Sequence, residues 1–379
     1  MTMIDAPMTT RSATVRASTR SNTILLICTC REYRIRALPL SAQILTQSAI
    51  LAPVSAVATT LEGMRAVTLE SVGPDATPQV TEVRDPLQLM SDALVQVHAA
   101  GINPIDWKTI AGKGVAAGIQ RFPWVPGNDF AGTVLKSPYE LSEFQPGDEV
   151  FGFASPALAW GSYAEKVAAS TLQMAKKPES LSFAEAAAVP CAGLTAWDAV
   201  VRVARARTGQ RILVHAGAGG VGHFAVQFAR YFGAHVIATG SESSLDYLRE
   251  IGADEVVDYR KQRFEEVLGK VDVVVDLIGN VKDDTGSRSL NVLKSDGLYL
   301  NIPTGSWPEY AEASEAAGVR YSHIKVEPDG QNLAIIARLL ESGDVKVNLD
   351  SVFPLDQVNE ALQQQAEGHT RGKIVLKVR

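Results

Sequence analysis

The stretch that most limits how this chain can fold is HAGAGGVGHFAVQFAR, residues 215–230. Gly217, Gly219 and Gly222 make a G-x-G-x-x-G run, with the apolar segment Arg211–Val214 before it and a helical pattern from near Val221 after it. Strand, glycine turn and helix in that order open a dinucleotide-binding βαβ unit. In such a unit Gly217 permits the tight turn, Gly219 lets the backbone approach a pyrophosphate, and Gly222 lets helix and strand pack closely. Free N–H groups around Ala218, Gly220 and Val221 then face the phosphates. Alone, the glycine motif is equally well a structural turn, so the surrounding order carries the reading.

That order continues downstream. Strand patterns at His235–Thr239, Glu255–Asp258, Val271–Leu277 and Leu298–Ile302 alternate with helical ones at 243–251 and Ser287–Leu293. The alternation predicts an α/β fold with a doubly wound parallel sheet covered by helices. Upstream the rhythm differs. Met64–Leu69, Ala93–Ala99, Gly127–Leu135 and Val150–Phe153 read as short strands, punctuated by turns such as Gly73-Pro74 and Asp85-Pro86. The switch falls near residue 181, where Ser182 and Glu185 are spaced as a capping box. A chain of 379 residues, 46% hydrophobic, has material for two such domains.

Charge and cysteine usage exclude several classes. A net charge of −6 argues against nucleic acid or an anionic membrane as the main partner. The three cysteines, Cys28, Cys30 and Cys191, make no disulfide framework and suit a reducing compartment. No apolar run reaches the length of a membrane span. Residues 1–63 stand apart, with six Arg, no Lys and three acids, against 30 basic and 39 acidic residues in the remainder. This leader shows no strand-turn-helix order. It reads as upstream sequence outside the folded protein, as an Arg-rich organelle presequence, or, least well, as a secretory signal over Ile44–Ala58. The folded part is taken to start near Met64, with a cytoplasmic location expected, or a mitochondrial one if the leader is a presequence.

The end of the second strand speaks to the cofactor. An NAD site usually places an acid there to accept from the ribose hydroxyls. Here the strand ends Thr239-Gly240-Ser241, which leaves room for a 2′-phosphate, and Ser241, Ser243 and Ser244 can donate to it. Tyr259 and Arg260 are further candidates, whereas Glu242 runs against the idea. The serines also fit as caps of the next helix. NADPH is expected over NADH.

From Met64 to Arg379 the chain resembles the medium-chain dehydrogenase/reductase superfamily, and within it the zinc-free quinone oxidoreductase (zeta-crystallin-like) branch. The resemblance lies in AAGINPIDWK (99–108), VPGNDFAGTV (125–134), PGDEVFGF (146–153), AAVPCAGLTAW (187–197), the glycine loop, IGADEVVDY (251–259) and GHTRGKIV (368–375). It implies a GroES-like catalytic domain over 64–186 and 325–379 and a Rossmann NADP(H) domain over 187–324, with the active site in the cleft between them. A homodimer joined through the Rossmann sheet edge is implied as well.

Zinc enzymes of the superfamily hold their catalytic metal through a Cys, a His and a second Cys or His. Here Asn103 and Asn128 stand at the first two positions and only Cys191 matches a ligand, so no zinc is expected. Asp129 is then retained for structure and Cys191 is a small packed residue. Without a Lewis acid, alcohol oxidation loses its route to an alkoxide. Hydride addition to a quinone or an α,β-unsaturated carbonyl needs only one or two donors at the carbonyl oxygen. The expected activity is therefore NADPH-dependent reduction of such an acceptor. A trans-acting enoyl reductase on a carrier-bound acyl chain, or a non-catalytic NADPH sensor, are the rivals.

By the same resemblance Asn103 orients the substrate carbonyl, unless it merely caps the turn before Pro104. Lys108 stands where many relatives carry Tyr and either donates to the developing oxyanion or is solvated. Thr195 lies near the nicotinamide carboxamide, and the backbones of Leu277-Ile278-Gly279 and Asn301-Ile302 hold nicotinamide and ribose. Arg371 and Lys373 reach the cofactor phosphates or are structural, and Asp106 is a turn or cap residue. His98, His215, His235, His323 and His369 show no metal spacing, and His223 is read as exposed or capping. Trp107, Phe122, Trp124, Phe153, Trp160 and Trp307 could line an apolar cleft, but most of them read as ordinary core or lid residues, with the 110–122 loop as a lid.

Overall fold

The computed structural model describes residues 63–155, 160–281 and 283–379, so the readings placed on the leader up to residue 62 lie outside it. Fifteen strands among the described residues form three sheets. In chain order they are β1 (Gly63–Thr68), β2 (Gln79–Arg84), β3 (Asp92–Gly101), β4 (Asp129–Lys136), β5 (Glu149–Phe153), β6 (Lys166–Ser170), β7 (Met174–Lys176) and β8 (Arg211–Val214). Then come β9 (His235–Gly240), β10 (Glu255–Asp258), β11 (Val271–Asp276), β12 (Leu293–Asn301), β13 (Arg320–His323), β14 (Leu349–Pro354) and β15 (Lys373–Lys377).

Strands β8 to β13 make one sheet in the order β10-β9-β8-β11-β12-β13, every neighbour parallel. Counted from β8, that is 3-2-1-4-5-6, the order of a dinucleotide-binding sheet, with its switch point between β8 and β11. The chain therefore turns back over the sheet at the strand that feeds the glycine loop. Helix α4 (Gly222–Tyr231) follows that loop, after the earlier helices α1 (Pro104–Ile110), α2 (Phe183–Ala187) and α3 (Pro190–Trp197). Within α4 every residue from Gly222 to Ala229 is buried, because the helix lies between the sheet and α3. Its Phe224 and Phe228 are fully enclosed, each worth about 2–3 kcal/mol of transfer free energy.

The second large sheet runs β14-β15-β3-β4-β5-β7, with β6 also on β3. It takes its strands from both ends of the folded chain, since β15 pairs antiparallel with β3 (Val375 opposite Gly101). That pairing brings residues 371–373 to the end of β3, where Asn103 begins α1. Ser182 caps α2 and Glu185 returns the bond to its backbone, the two halves of the capping box. One apolar core, including Phe151 and Phe153 from this sheet and Ile212, Phe224 and Phe228 from the other, spans both.

Sequence reading missed β13, whose residues Arg-Tyr-Ser-His are mostly exposed at the open edge and carry no apolar run. It also missed β2 and β14, which alternate only weakly. Most of the aromatic candidates are core residues, in line with the alternative reading. Trp124 and Trp107 belong to one cluster, Phe153 to a second, Trp307 to a third and Trp160 to a fourth. These rings serve four separate packing sites, because each follows the core of its own sheet face.

Candidate active site

The glycine loop leaves β8 through His215, whose ring is clamped between Thr239 Oγ1 (3.1 Å) and Ser289 Oγ (2.9 Å). Burial lowers its pKa to about 4, so it stays neutral and ties the ends of β8 and β9 to the helix Thr285–Leu290. The left-handed residue of the turn is Ala216 (φ 49°), not Gly217. Gly217 is required for a different reason: a Cβ there would meet Ala238 Cβ at 2.9 Å and Leu248 Cδ2 at 3.0 Å. At Gly222 a Cβ would stand 2.2 Å from the Ala216 carbonyl oxygen, so only glycine lets the helix start against the turn. Gly219 is freer, its nearest neighbour being that same oxygen at 3.2 Å. Val221 begins α4 with no side chain capping the helix. The His223 N–H is bonded to Gly219 O at 3.0 Å, which leaves the N–H groups of Gly220, Val221 and Gly222 for an anion. His223 is fully buried, against the expectation of an exposed or capping residue; its Nδ1 lies 3.0 Å from Gly219 O. Burial lowers its pKa to about 4.

At the end of β9, Thr239 is turned inward to His215 and the Ala216 N–H. Ser241 Oγ reaches Ser243 Oγ at 3.1 Å, while Ser244 bonds back to Ser241 O as a cap does. Glu242 is paired with Lys261 at 2.5 Å, which removes much of its objection to a neighbouring phosphate. Half-exposed Tyr259 carries the Arg260 guanidinium 5.6 Å above its ring. Arg371 lies 5.5 Å over Tyr247, on the helix after β9.

Across from the glycine loop, the start of α1 holds a buried polar network. Asn103 donates through Nδ2 to Asp129 Oδ2 (2.9 Å) and accepts at Oδ1 from Lys373 Nζ (2.5 Å). Lys373 Nζ also reaches Ile102 O at 2.8 Å and Asp129 Oδ2 at 3.5 Å. The other Asp129 oxygen accepts from the Cys191 N–H at 2.8 Å. All three side chains are essentially enclosed, and burial raises the Asp129 pKa against the pull of Lys373. Burial and then the Asp129 charge push the partly buried Cys191 thiol well above its ordinary range, which favours its protonated form. Asp106 takes the Asn103 N–H at 2.8 Å and the Tyr163 hydroxyl at 2.6 Å, acting as cap and anchor together. Neither Tyr163 nor the Lys373 contact was foreseen: Lys373 turns toward Asn103, not toward phosphates. The only sequence signal for it is a lysine opening a strand whose centre, Ile374–Leu376, is apolar.

Lys373 joins the two sheets. A Cβ on Gly220 would meet Lys373 Cδ at 3.1 Å, and the Gly372 N–H donates to Ala218 O at 2.8 Å. Lys108 stays outside the network, its ammonium 5.8 Å over the Trp107 ring and its pKa lowered by burial and by Lys113. Thr195 donates to Cys191 O at 2.6 Å on α3. At the carboxyl ends of β11 and β12, Asp276 Oδ1 accepts from Ile278 N–H and Gly279 N–H, and Ser306 bonds Asn301 Oδ1 at 3.2 Å. Gly279 (φ 70°) tolerates no Cβ, which would fall 2.2 Å from Ser306 Oγ. Ile302 N–H returns to Asp276 O at 3.0 Å, closing the pair of loops that includes Leu277.

The fold and this geometry define a two-sheet, nicotinamide-dependent oxidoreductase. Residues 90–179 match the alcohol dehydrogenase GroES-like domain family and residues 251–376 the zinc-binding dehydrogenase family. The NAD(P)H oxidoreductase RTN4IP1, mitochondrial, of Danio rerio is 31% identical over 328 residues, covering 76% of this chain and 84% of that one. The 2-methylene-furan-3-one reductase of Solanum lycopersicum is 37% identical over 292 residues, 75% and 71% of the two chains. The structure of the quinone oxidoreductase from Coxiella burnetii superposes with a TM-score of 0.79 at 33% identity, covering 84% of this chain and all of that one. The chain belongs to the medium-chain dehydrogenase/reductase superfamily, in its quinone oxidoreductase branch.

Proposed function

We propose that this protein is a zinc-independent reductase that uses NADPH to reduce a quinone or an α,β-unsaturated carbonyl. The observation that carries the reading is Asn103, a neutral amide held between Lys373 and Asp129 where zinc-dependent relatives place a metal ligand. The donor set does not fit zinc. Asn128 is a neutral amide that donates to Ala154 O, Cys191 is the one thiol, and an ammonium stands beside the one carboxylate. Among the described residues no three His, Cys, Asp or Glu side chains converge on a metal position.

Reduced nicotinamide, when bound, supplies the hydride. The chain's own part is to bind, orient and donate. The uncapped start of α4 with Gly217, Ala218, Gly219, Gly220, Val221 and Gly222 receives the pyrophosphate. Ser241 and Tyr259, with Lys261 neutralising Glu242, favour a 2′-phosphate and hence NADPH. Thr195, Leu277, Gly279, Asn301 and Ile302 are assigned to the nicotinamide end. An amide has two N–H donors and Asp129 takes one, so Asn103 keeps one N–H for the substrate carbonyl oxygen. Lys108, its pKa lowered by burial and by Lys113, is the second donor assigned there.

The names of the relatives, a furanone reductase and a quinone oxidoreductase, support acceptors of this chemistry. The test is loss of NADPH absorbance, with and without EDTA, against a simple quinone, a medium-chain enone and an aliphatic aldehyde. Turnover of quinone or enone, unchanged by EDTA, is expected. Activity confined to the aldehyde and abolished by EDTA would reverse the assignment. The open edge at β13 supports a homodimer, to be checked by light scattering. The division into 64–186 with 325–379 and 187–324 follows the two large sheets. No helix among the described residues is long and apolar enough to cross a membrane. A cytoplasmic location is retained, with the organelle reading resting on the basic leader and decided by sequencing the mature amino terminus.

A further inference from the structure

At the other end of the six-stranded sheet, away from the glycine loop, lies a pocket of about 570 Å³ built largely of arginine. Arg202, Arg205, Arg207 and Arg320 line it with Gln210 and Leu298. Gln210 immediately precedes β8, Leu298 pairs with the first residue of β13, and that residue is Arg320. The pocket therefore sits at the amino ends of these strands, whereas cofactors of this fold bind at the carboxyl ends.

Four guanidiniums around one pocket are unexpected in a chain whose folded part carries more acids than bases. Only Arg202 has a carboxylate partner, Asp198 at 2.9 Å. Among the described residues Arg205, Arg207 and Arg320 form no ion pair; Arg207 donates to Arg205 O at 3.3 Å and Arg320 to Asp296 O at 2.9 Å. Asp198 offsets the Arg202 charge and Asp272 lies within electrostatic reach of Arg207, while the remaining like charges repel.

The backbone here is also unusual. Helix α3 passes at Asp198–Val203 into a π-helical turn, with Ala204 N–H bonded to Ala199 O. Such turns are rare and cluster at functional sites. The stretch ends on Arg205 in the left-handed region (φ 52°), with Ala206 N–H returning to Val200 O. Glycine is the usual residue at that helix-ending position because a Cβ is strained there. An arginine kept in that conformation points the inference from strain to function.

We propose that this pocket binds a ligand bearing two or more phosphate groups. Guanidinium forks match phosphate oxygens in pairs, and three unpaired forks supply the charge such a ligand needs. The volume admits a compact polyphosphate but not a large surface. The site is distinct from the candidate active site and does not depend on the acceptor assigned above.

The test is calorimetric titration of the full chain with tripolyphosphate while NADPH saturates the nucleotide site. One site per chain is expected. R205G removes a charge and relieves the backbone, so its melting temperature should equal or exceed that of the unaltered chain. R205G with R207Q should weaken tripolyphosphate binding by about tenfold or more, with NADPH affinity and reductase turnover unchanged. Flotation with phosphatidylinositol bisphosphate vesicles separates the two sources. Binding to vesicles that the double variant loses assigns the phosphates to a lipid headgroup; binding to tripolyphosphate alone assigns them to a soluble ligand. No binding in either arm, or equal binding by the double variant, overturns the proposal.

Discussion

Lys373 Nζ lies 2.5 Å from Oδ1 of Asn103, a residue 270 positions earlier in the chain, and the same ammonium stands 3.5 Å from Asp129 Oδ2. The lysine stem rests against Gly220, so one side chain spans from the glycine loop to the amide assigned to the substrate. Its three protons are all engaged, on Ile102 O, Asn103 Oδ1 and Asp129 Oδ2. It therefore positions Asn103 and has no proton left to donate to substrate.

Lys373→Met should leave the Asp129 carboxylate buried without a counter-charge. Breaking one partner of such a pair costs about 3–5 kcal/mol. Chemical denaturation of K373M, D129N and the double variant checks this, because the double variant should recover most of the loss. Turnover should fall in K373M and in the double variant alike, since both free the Asn103 amide to rotate. A double variant with full turnover would mean that Lys373 matters only for stability.

Gly219 and Gly222 separate folding from cofactor binding. G222A drives a methyl to 2.2 Å from a backbone oxygen, so it should lose several kcal/mol of stability together with NADPH affinity. G219A meets only a 3.2 Å contact and should fold with a cost of about 1 kcal/mol or less. Its NADPH affinity should still fall, about tenfold, if backbone there approaches the pyrophosphate. Fluorescence titration beside thermal unfolding measures both, and a G219A chain with unaltered affinity would move the phosphates elsewhere.

Five strands of the six-stranded sheet were legible because the central ones are buried on both faces and alternate with helical segments, whereas exposed β13 was not. β10 was placed residue for residue, at Glu255–Asp258. The site was legible only where a residue type has one use, as with Gly222. Lys373 was not, because a buried lysine is explained by partners that only the β15–β3 pairing supplies. Tyr163 was hidden likewise, its partner Asp106 being 57 positions away. The aromatic residues were read as mostly core, but their division among four clusters was hidden, because a tryptophan signals burial without saying in which core.

Cofactor choice can be turned at the end of β9. A carboxylate at Ser241 would face the 2′-phosphate while accepting well from ribose hydroxyls. S241D should lower kcat/KM for NADPH by about tenfold or more, from like-charge repulsion in a partly buried site, and leave NADH unchanged or improved. The ratio of the two kcat/KM values is the measurement. An unchanged ratio would place the 2′-phosphate away from Ser241, toward Arg260 or Arg371.

Asp106 gives the fold a pH signature. Burial raises its carboxyl pKa to about 7, although the bonds from Tyr163 and Asn103 favour the ionised form. The folded chain therefore keeps a proton there that the unfolded chain, near 3.8, has released. Stability from this group is complete below about pH 4, is lost as pH rises toward 7, and is flat above that; the total is on the order of a few kcal/mol. Buried His215 and His223 run the other way, since their lowered pKa values make the folded state less stable as pH falls from about 6.5 toward 4. The sum of the three can be nearly level, so the informative quantity is the difference between the unaltered chain and D106N. Asparagine keeps an acceptor for Tyr163 and Asn103 but cannot titrate. Urea midpoints from pH 4 to 8 should show the unaltered chain losing stability relative to D106N up to pH 7 and running parallel to it beyond. Parallel curves throughout would mean that Asp106 titrates alike in the folded and unfolded chain, and that Tyr163 and Asn103 stabilise its charge as fully as water does.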